Sequence, residues 1–547
     1  MTRALYPIFC SDVIIKASEQ ITELALVIPR RRIITRSIII TKMTKKKLYI
    51  TTAIPYANAI PHIGNAMDYL LADIWSRHKQ QMGETVRFQA GTDEHGNKIA
   101  AKAAESGLEP QAYVDSMYLN FQRLIQAVGA DTTDFVRTTD VRHKAAVQYI
   151  WQQLQPYIYK GTYEGWYCQG CESFVTEKEA ADNNGICPDH NQPYQRLSEE
   201  NYYFKLSAFT GKIREAFDSK RIRIVPEFRQ NEILKLLESG LQDISFTRPA
   251  RSLSWGVPVP GDPSHVMYVW VDALSNYLTV LGYPNSSDWQ SYWPADVQVI
   301  GKDIMRFHAA IWPAMLIALD LPLPKTLLVH GHVTSGGAKM SKTVGNVVDP
   351  FEIVEQYGQD AFRYYFARHI PTWEDGDFTW EKFEAAYNGE LANDLGNLVS
   401  RIAKMVQAYQ AGVVGDEHGG EHDIQAFIDD MEDLNFSAAI DEAWLSIGSL
   451  NRYLEEVKPW MIAKRVGTDP DAEAHLAEVL QHSVGTLLQI TDQLYPFMPG
   501  AAQAVRDTFA GGVVSSEVPI LFPKKELHPP KPAEQGVEHE SKPNLPE

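Results

Sequence analysis

Cysteines are scarce in this chain: only four occur in 547 residues, and three of them fall in one short segment. No run of about 18 or more apolar residues appears, so no membrane-spanning helix is expected. Positive charge is also in deficit, with 51 lysines and arginines against 69 aspartates and glutamates and a formal net charge of −18. Evenly spread, that charge would disfavour nucleic-acid binding, but a nucleic acid needs only a local basic surface. The 44% hydrophobic content suits a globular enzyme of several domains.

A β-α-β pattern is predicted near the beginning of the chain. Residues 48–53 are rich in β-branched and aromatic side chains and predict a buried strand, which the prolines of 54–61 end. Apolar residues at helical spacing predict a helix over 62–82, and a second strand is predicted at 86–90. In an open parallel sheet, the loops that follow the two strands would face one crevice.

The start of this predicted helix carries a candidate phosphate site. His62 and Asn65 belong to the sequence His-Ile-Gly-Asn. Unpaired amides and the positive end of the helix dipole favour a nucleotide phosphate at such a position. A short His-x-Gly motif has little specificity by itself, and the alternative is an ordinary helix start with a satisfied histidine.

A second motif, Lys-Met-Ser-Lys-Thr, occupies 339–343. It follows a predicted strand at 327–333 through a glycine-rich turn. Lys339 and Lys342 on such a hinged loop could grip the β- and γ-phosphates of ATP and neutralise charge as pyrophosphate leaves. The alternative is a solvated loop with ordinary surface lysines.

The three clustered cysteines and one histidine predict a zinc knuckle at about 165–195. The pairs Cys168/Cys171 and Cys187/His190 each enclose two residues, a gap that allows a tight turn around a metal. Three thiolates and one imidazole complete a tetrahedral zinc site with no open position for water, so we predict one structural zinc per chain. A disulfide is disfavoured because no export signal directs the chain to an oxidising compartment.

Together the two phosphate motifs make the chain resemble a class I aminoacyl-tRNA synthetase, whose signatures are usually written HIGH and KMSKS. From residue 46 to about 523 it fits the methionyl-tRNA synthetase branch, and order and spacing agree. Further matching segments are 55–58, 91–96, 268–274 and 301–308. Two positions depart from the family pattern: Asn65 replaces a histidine and Thr343 a serine. Asparagine can donate a hydrogen bond but carries no charge, so His62 and the lysines would do more of the charge stabilisation.

The resemblance implies an α/β fold: a Rossmann-type nucleotide-binding catalytic domain split by a zinc-knuckle insertion, then an all-α helical-bundle anticodon-binding domain. The predicted divisions are an N-terminal extension at 1–45, catalytic halves at 46–155 and 266–333, the insertion at 156–265, the KMSK loop and connecting region at 334–388, the helical domain at 389–523 and a disordered tail at 524–547. The extension does not fit the family, and we expect it to be disordered or to precede the true start. An organelle-targeting peptide is the second interpretation.

The resemblance also implies two sets of residues in the catalytic domain. His62, Asn65, Lys339 and Lys342 would be catalytic, and together with Gly64 and Ser341 they would bind ATP. Methionine would be surrounded by Ile54, Tyr56, Trp270, Ala273, Leu274, Tyr277, Ile304 and His308, with Asp93 pairing its ammonium group. Such a lining suits an unbranched, polarizable thioether. Core packing is the alternative for Trp270, in a strand-like run, and for Tyr277, in the next predicted helix.

Between 390 and about 499 the pattern is helical. One apolar face of a bundle helix is formed by Leu391, Leu395, Leu398, Ile402 and Met405. Asn397 and Arg401 share another face of that helix. By resemblance these two residues would read the anticodon together with Trp460, since unpaired bases stack on an indole and accept donors at their edges. The alternative is a solvated stripe, with Trp460 packed at a helix end.

The function implied by the resemblance is ATP-dependent charging of methionine tRNA, both initiator and elongator, through a methionyl-adenylate. Magnesium would accompany ATP. We expect a cytoplasmic enzyme that does not associate with membranes and is monomeric, because no C-terminal tRNA-binding barrel is present. The alternatives are a class I synthetase for another apolar amino acid, a nucleotidyltransferase that does not act on tRNA, and a zinc-dependent nucleic-acid binder. Residues 149–270 are too few for both the knuckle and a large editing insertion, and a simple binder leaves both phosphate motifs unexplained.

Overall fold

A computed structural model of the protein describes residues 45–171, 173–340, 346–414, 424–509, 512–514 and 516–526. The N-terminal part alternates strands and helices as predicted. Its elements are β1 (Lys47–Thr52), α1 (Ile63–Gln81), β2 (Thr85–Thr92), α2 (Asn97–Glu105), α3 (Pro110–Ala127), β3 (Asp134–Arg137) and α4 (Val141–Leu154). Alternate residues of β1 are buried on opposite faces of a sheet: Leu48 and Ile50 share a core with α1, and Tyr49 belongs to a second core.

The next part of the chain is mainly antiparallel. Its elements are β4 (Ile158–Cys168), β5 (Ser173–Val175), α5 (Glu177–Asp182), β6 (Gln195–Phe204), α6 (Thr210–Asp218), β7 (Arg223–Val225), α7 (Glu227–Glu238), β8 (Ile244–Ser245), β9 (Thr247–Pro249), β10 (Pro258–Val259) and β11 (Asp262–Met267). They form a sheet in the order β5-β4-β6-β8 and another in the order β10-β11-β9.

The chain then returns to alternating helices and strands. The elements are α8 (Val269–Leu274), α9 (Asn276–Thr279), α10 (Asp288–Tyr292), β12 (Val297–Gly301), a π-helix (Phe307–Ile311), α11 (Trp312–Ala318), β13 (Thr326–His330), β14 (Val333–Ser335), β15 (Ala338–Lys339), α12 (Pro350–Tyr357), α13 (Gln359–Arg368), β16 (Gly376–Phe378) and α14 (Trp380–Ala386). The prediction of a strand-like run around Trp270 is wrong, because that run forms α8. Periodicity alone does not separate a short apolar strand from a buried helix.

The remaining described elements are helical. They are a π-helix (Tyr387–Gly396), α15 (Asn397–Gln410), α16 (Gln425–Glu432), α17 (Phe436–Val457), α18 (Pro459–Ala463), α19 (Ala472–Leu494) and α20 (Pro499–Phe509). The five residues of the predicted apolar face are all buried, which confirms that face. Among the described residues, no helix combines the length and apolar composition that crossing a membrane requires.

Six parallel strands form the central sheet in the order β3-β2-β1-β12-β13-β7. From β1 the chain continues to β2 and β3 on one side, whereas β12 lies on the other side. The strand order therefore reverses between β1 and β12. A ligand crevice forms outside the carboxyl ends of the strands at such a switch point.

Two predicted divisions differ from the structure. Residues 156–265 do not form only an insertion, because β7 within this stretch belongs to the central sheet, where Ile224 lies opposite Leu327. A three-residue strand gives too little pattern to be recognised in the sequence. The predicted disordered tail also begins too early, since the backbone of Lys525 exchanges two hydrogen bonds of 3.0 Å with the Asn388 side chain. The polar composition of the tail did not reveal this pairing. Residues 1–44 and 527–547 lie outside the described part.

Candidate active site

A cavity of about 610 Å³ opens at the switch point between β1 and β12. Loops after β1, β2, β12 and β13 and the two helices α8 and α9 form its walls. Twelve of the predicted catalytic and substrate-binding residues line it: Ile54, Tyr56, His62, Gly64, Asn65, Asp93, Trp270, Ala273, Leu274, Tyr277, Ile304 and His308. The sheet topology therefore collects into one cavity residues that are far apart in the sequence.

The first motif forms the N-terminal cap of α1. The His62 side chain accepts a hydrogen bond at Nδ1 from the Gly64 amide at 3.0 Å, and the His62 amide donates to Asn65 Oδ1 at 3.1 Å. This reciprocal capping satisfies amides that a helix start would otherwise leave unpaired. Asn65 thus supports the cap through its oxygen, which leaves its amide nitrogen as the group able to donate to a ligand.

The loop that carries Asp93 is tied to the loop that carries Tyr56. The Asp93 amide donates to the Pro55 carbonyl at 2.9 Å, and the Ala57 amide donates to the Asp93 carbonyl at 2.8 Å. Gly96 has a φ of +118°, and a Cβ there would lie 2.1 Å from the Tyr56 hydroxyl oxygen. Only glycine permits this close approach. The carboxylate of Asp93 and the ring of Tyr56 are consequently held at the same side of the cavity.

Tyr277 and His308 form a buried neutral pair. The Tyr277 hydroxyl and His308 Nε2 are 2.7 Å apart, and His308 Nδ1 lies 3.0 Å from the Ile304 carbonyl oxygen. Burial lowers the pKa of His308 to about 4. A neutral imidazole that donates from Nδ1 to the carbonyl can accept at Nε2 from the tyrosine hydroxyl. The pair brings polar atoms to the cavity without bringing a charge.

Aromatic rings form the neighbouring wall. Trp270 stacks on Phe307 with ring centroids 3.8 Å apart and planes at 9°, and its edge faces His308 at 6.2 Å. Trp270 and Tyr277 do pack in the core, as the alternative interpretation predicts, but both side chains also line the cavity. Sequence analysis did not identify Phe307 as the support of this wall.

A second polar set at the cavity was also missed. His330 Nε2 lies 2.9 Å from Asp68 Oδ1, and His332 Nε2 lies 3.4 Å from Asp303 Oδ1. All four residues line the cavity. Burial alone would lower the pKa of His330, but the Asp68 carboxylate raises it. The available signal was the position of His330 at the carboxyl end of β13, where ligand-facing residues of a parallel sheet concentrate.

The second motif is described only in part. Lys339 ends β15, whose backbone pairs with Thr334 of β14, and the next residue, Met340, lines the cavity. Ser341, Lys342 and Thr343 lie outside the described residues. The hairpin therefore leads the motif to the cavity, while the roles predicted for Lys339, Ser341 and Lys342 stay predictions.

The four predicted metal ligands converge. The ligand atoms of Cys168, Cys171, Cys187 and His190 all lie within 4.8 Å of one another. Cys171 Sγ is 3.5 Å from Cys187 Sγ and 3.3 Å from His190 Nδ1. In a tetrahedral site with metal–ligand bonds of about 2.0–2.3 Å, the distances between neighbouring ligand atoms are similar to these two. A Cβ at Gly170 would lie 2.3 Å from His190 Cγ, so glycine is required there. The cluster fits a metal ion.

The predicted anticodon residues lie on two helices of the bundle. Asn397 is exposed at the start of α15, and Arg401 on the same helix pairs through Nη1 with Glu455 of α17 at 2.6 Å. Arg401 Nε and Nη2 are buried and have no hydrogen-bond partner among the described residues. Trp460 on α18 is half-buried and packs against the bundle core. Part of the Trp460 indole is thus used in core packing. The roles predicted for Asn397, Arg401 and Trp460 in reading anticodon bases stay predictions.

Known proteins are similar to this chain over most of its length. The family model "tRNA synthetases class I (M)" matches residues 48–198 and 190–403. A methionine–tRNA ligase of Caldanaerobacter subterraneus subsp. tengcongensis is 43% identical over 470 residues, which are 83% of this chain and 72% of the relative. That of Clostridium tetani is 42% identical over 481 residues, or 85% and 74% of the two chains.

The solved structures include similar proteins. Mycobacterium tuberculosis methionyl-tRNA synthetase in complex with methionyl-adenylate has a TM-score of 0.81 and 34% identity, covering 87% of this chain and 100% of the other. The apo form of that protein gives a TM-score of 0.76 and 31% identity, with 88% and 99% covered. The likeness therefore extends over the cavity and the helical bundle.

Proposed function

We infer the function from one premise: the chain belongs to the methionyl-tRNA synthetase family of class I aminoacyl-tRNA synthetases. The protein activates L-methionine with ATP to methionyl-adenylate and transfers the methionyl group to the 3′-terminal adenosine of methionine tRNA. The observation that carries this inference is the single cavity at the switch point, which gathers the residues of the first motif and of the aromatic wall.

Methionine would occupy the part of the cavity between α8 and the Tyr277–His308 pair. Trp270 and Ile304 provide apolar surface for its side chain, and the neutral pair offers polar atoms to the thioether without the desolvation cost of a charge. Asp93 would bind the ammonium group, because a carboxylate beside an ammonium group provides charge-assisted hydrogen bonds. This arrangement favours a long unbranched side chain over a β-branched one.

Adenylate formation would proceed by in-line attack. A methionine carboxylate oxygen forms a bond to the α-phosphorus of ATP, and the bond from that phosphorus to the oxygen bridging to the β-phosphate breaks, releasing pyrophosphate. His62 at the positive end of α1, together with Lys339 and Lys342, would stabilise the charge that develops. Magnesium bound with ATP would neutralise phosphate charge. No residue of the protein becomes covalently attached.

Transfer to tRNA would follow at the same place. A ribose hydroxyl of the terminal adenosine attacks the acyl carbon, and AMP leaves with the electron pair of the broken mixed-anhydride bond. Recognition of the tRNA would occur at a distance, on the helical bundle. There Trp460 would stack on an unpaired anticodon base, and Asn397 and Arg401 would donate to base edges.

The knuckle would hold one structural zinc through Cys168, Cys171, Cys187 and His190. Because all four positions are filled by protein atoms, the ion would stabilise the local fold rather than activate water. Elemental analysis of protein purified without added metal should give about one equivalent of zinc per chain. Cys171→Ser should lower this content, and a fully folded, active preparation without metal would contradict a structural role.

We also propose that the enzyme acts in the cytoplasm as a monomer on both initiator and elongator methionine tRNA. Light scattering coupled to size-exclusion chromatography would test the monomer directly, with a dimer mass as the contrary result.

Pyrophosphate exchange into ATP, measured with each of the twenty amino acids in turn, tests the central inference. Exchange should be far faster with methionine than with isoleucine, leucine or valine. Charging of methionine tRNA should then require the same amino acid. Preferred exchange with leucine or isoleucine would instead indicate a synthetase for another apolar amino acid, and exchange without any tRNA charging would indicate a nucleotidyltransferase.

A further inference from the structure

Behind the cavity wall, one buried carboxylate joins two histidines. Asp272 Oδ2 lies 2.6 Å from His95 Nδ1, and Asp272 Oδ1 lies 2.8 Å from His143 Nε2. The relative exposures of the three residues are only 1%, 3% and 2%. The described residues that line the cavity do not include these three. The cluster is therefore separate from the groups that would touch substrate.

The three residues belong to elements that each carry part of the cavity wall. Asp272 is on the short helix α8, which also presents Trp270 to the cavity. His95 follows the cavity residue Asp93 by two positions in the same tied loop. His143 is on α4, so the carboxylate connects this helix, the Asp93 loop and α8 at one point.

His143 extends the connection to a fourth element. Its Nδ1 lies 2.7 Å from Thr279 Oγ1, at the end of α9, and that helix also carries the cavity residue Tyr277. The hydroxyl of Thr279 is buried with the histidine. Both sides of the proposed methionine pocket are thus tied to the same carboxylate, directly through α8 and indirectly through α9.

A carboxylate at this depth is costly unless its charge is compensated. Burial raises the pKa of Asp272, but His95 and His143 outweigh burial and bring it down to about 2. The group therefore stays ionised over the working range of the enzyme and accepts from both rings. A buried charge with two fixed donors permits few alternative arrangements of the elements that it connects.

His95 is itself held on a further side. The Trp255 ring meets His95 edge-on with centroids 5.4 Å apart, and Trp255 Nε1 donates to the Glu94 carbonyl at 2.6 Å. The Asp93 loop can therefore shift relative to α8 only if these contacts and the hydrogen bond between His95 and Asp272 shift together.

We propose that Asp272 is a positioning residue for methionine, which fixes Asp93 at the distance from Trp270 that the amino acid requires. The inference rests on the proposed function. Asp272 does not touch substrate and takes part in no proton transfer. It determines the relative positions of Asp93 and Trp270 in the pocket, so methionine binding depends on it and ATP binding does not.

Asp272→Asn tests this role with almost unchanged volume. The amide has one acceptor oxygen, so one of the two histidine N–H groups loses its acceptor or that ring must change tautomer. Methionine KM in pyrophosphate exchange, and the Kd for methionine by calorimetry without ATP, should rise about 10- to 100-fold. The KM for ATP should stay within about twofold, as should the rate at saturating substrates.

A control carboxylate, Asp296, is available directly before β12. Asp296 accepts from the Tyr49 amide at 2.8 Å and from Lys325 Nζ at 2.6 Å, and it does not line the cavity. Asp296→Asn should leave the methionine KM unchanged. His143→Gln is a milder second variant, which keeps the His95 contact and should raise the methionine KM less than Asp272→Asn does. If Asp272→Asn does not fold, His143→Gln tests the positioning role instead.

The outcomes separate this inference from the proposed function. Wild-type protein that does not exchange pyrophosphate with methionine would overturn both. If the wild type is active and folded Asp272→Asn binds methionine within about twofold of it, the positioning role is wrong. Equal increases in the KM values for methionine and ATP would also overturn it, because they would indicate a general support of the fold.

Discussion

The cavity and the part of the helical bundle around Asn397 and Arg401 are built in opposite ways. Cavity residues come from loops and short helices of several separate segments, and neighbours hold each one in place, as the Tyr277–His308 pair shows. On the bundle, Asn397 and Arg401 lie on one regular helix and the ion pair of Arg401 is with the exposed Glu455.

The difference corresponds to what each region would bind. A small amino acid and ATP must meet in a fixed geometry, and orientation of reacting groups contributes much of the rate. Unpaired anticodon bases are flexible, and a surface with an aromatic ring and hydrogen-bond donors can recognise them. Side chains are therefore held by more neighbours in the cavity, where displacement of a reacting group would reduce the reaction rate most.

A buried ion pair connects the two regions. Arg363 Nη2 lies 2.7 Å from Asp73 Oδ2 of α1, and both side chains are fully buried. Arg363 Nε also donates to the Phe497 carbonyl at 2.8 Å, in the turn before α20. The helix that begins with the first motif is thereby joined to the bundle.

The largest effect is expected from breaking this junction. Arg363→Met should lower the free energy of unfolding by about 3–5 kcal/mol in urea titrations, because it removes one of the two arginine partners of the buried Asp73 carboxylate and the donor of several buried carbonyls. Lys102→Met, which breaks an exposed pair with Glu105, should have a much smaller effect. An Arg363→Met loss no larger than that of Lys102→Met would show that the junction does not hold the regions together.

Lys342→Ala should affect the cavity chemistry alone. The residue lies outside the described part of the chain, so the prediction comes from the sequence. Pyrophosphate exchange at saturating ATP should slow about 100- to 1,000-fold with methionine affinity unchanged, since the charge acts mainly in the transition state. Lys404→Ala, an exposed lysine of α15, should exchange at the wild-type rate. Wild-type turnover of Lys342→Ala would contradict the proposed role.

Trp460→Ala should affect the bundle alone. Charging of methionine tRNA should weaken by about 1–3 kcal/mol, the usual worth of one base stack, while pyrophosphate exchange stays near wild type. Because the indole is half-buried, the melting temperature must be measured beside both activities. An equal loss of exchange and charging would identify Trp460 as a packing residue and remove the contrast between the regions.

The smallest effect concerns pH and the cavity. The pKa of His308 is about 4 in the folded chain, below its ordinary value of 6.5, so the unfolded chain binds more protons between these values. This contribution to stability is complete above about pH 6.5 and is lost as the pH falls towards 4. From pH 7 to 5 the loss should be about 1–2 kcal/mol. In His308→Gln the stability lost between pH 7 and 5 should be smaller by that amount. If the stability of wild type and of His308→Gln depends on pH in the same way, a neutral buried imidazole is contradicted.

The sequence predicted the regular elements around the first motif well, because a strand, a proline break and a helical repeat each leave a local pattern. The wrong assignment around Trp270 and the unpredicted β7 are short segments, in which burial by distant neighbours decides the conformation. The missed groups Asp68, His95 and Phe307 share a cause: each acts through a partner remote in the chain.

The sequence by itself determined the family, the four residues of the knuckle that could hold a metal ion and the apolar face that continues from the second π-helix into α15, since each leaves a recognisable pattern along the chain. Only the tertiary structure decided that Asp272 lies between His95 and His143, that Arg363 meets Asp73 and that Asn65 completes a helix cap beside the cavity. The physical reason is that a buried polar group is stable only with its partners in place, and the fold of the whole sheet brings those partners together.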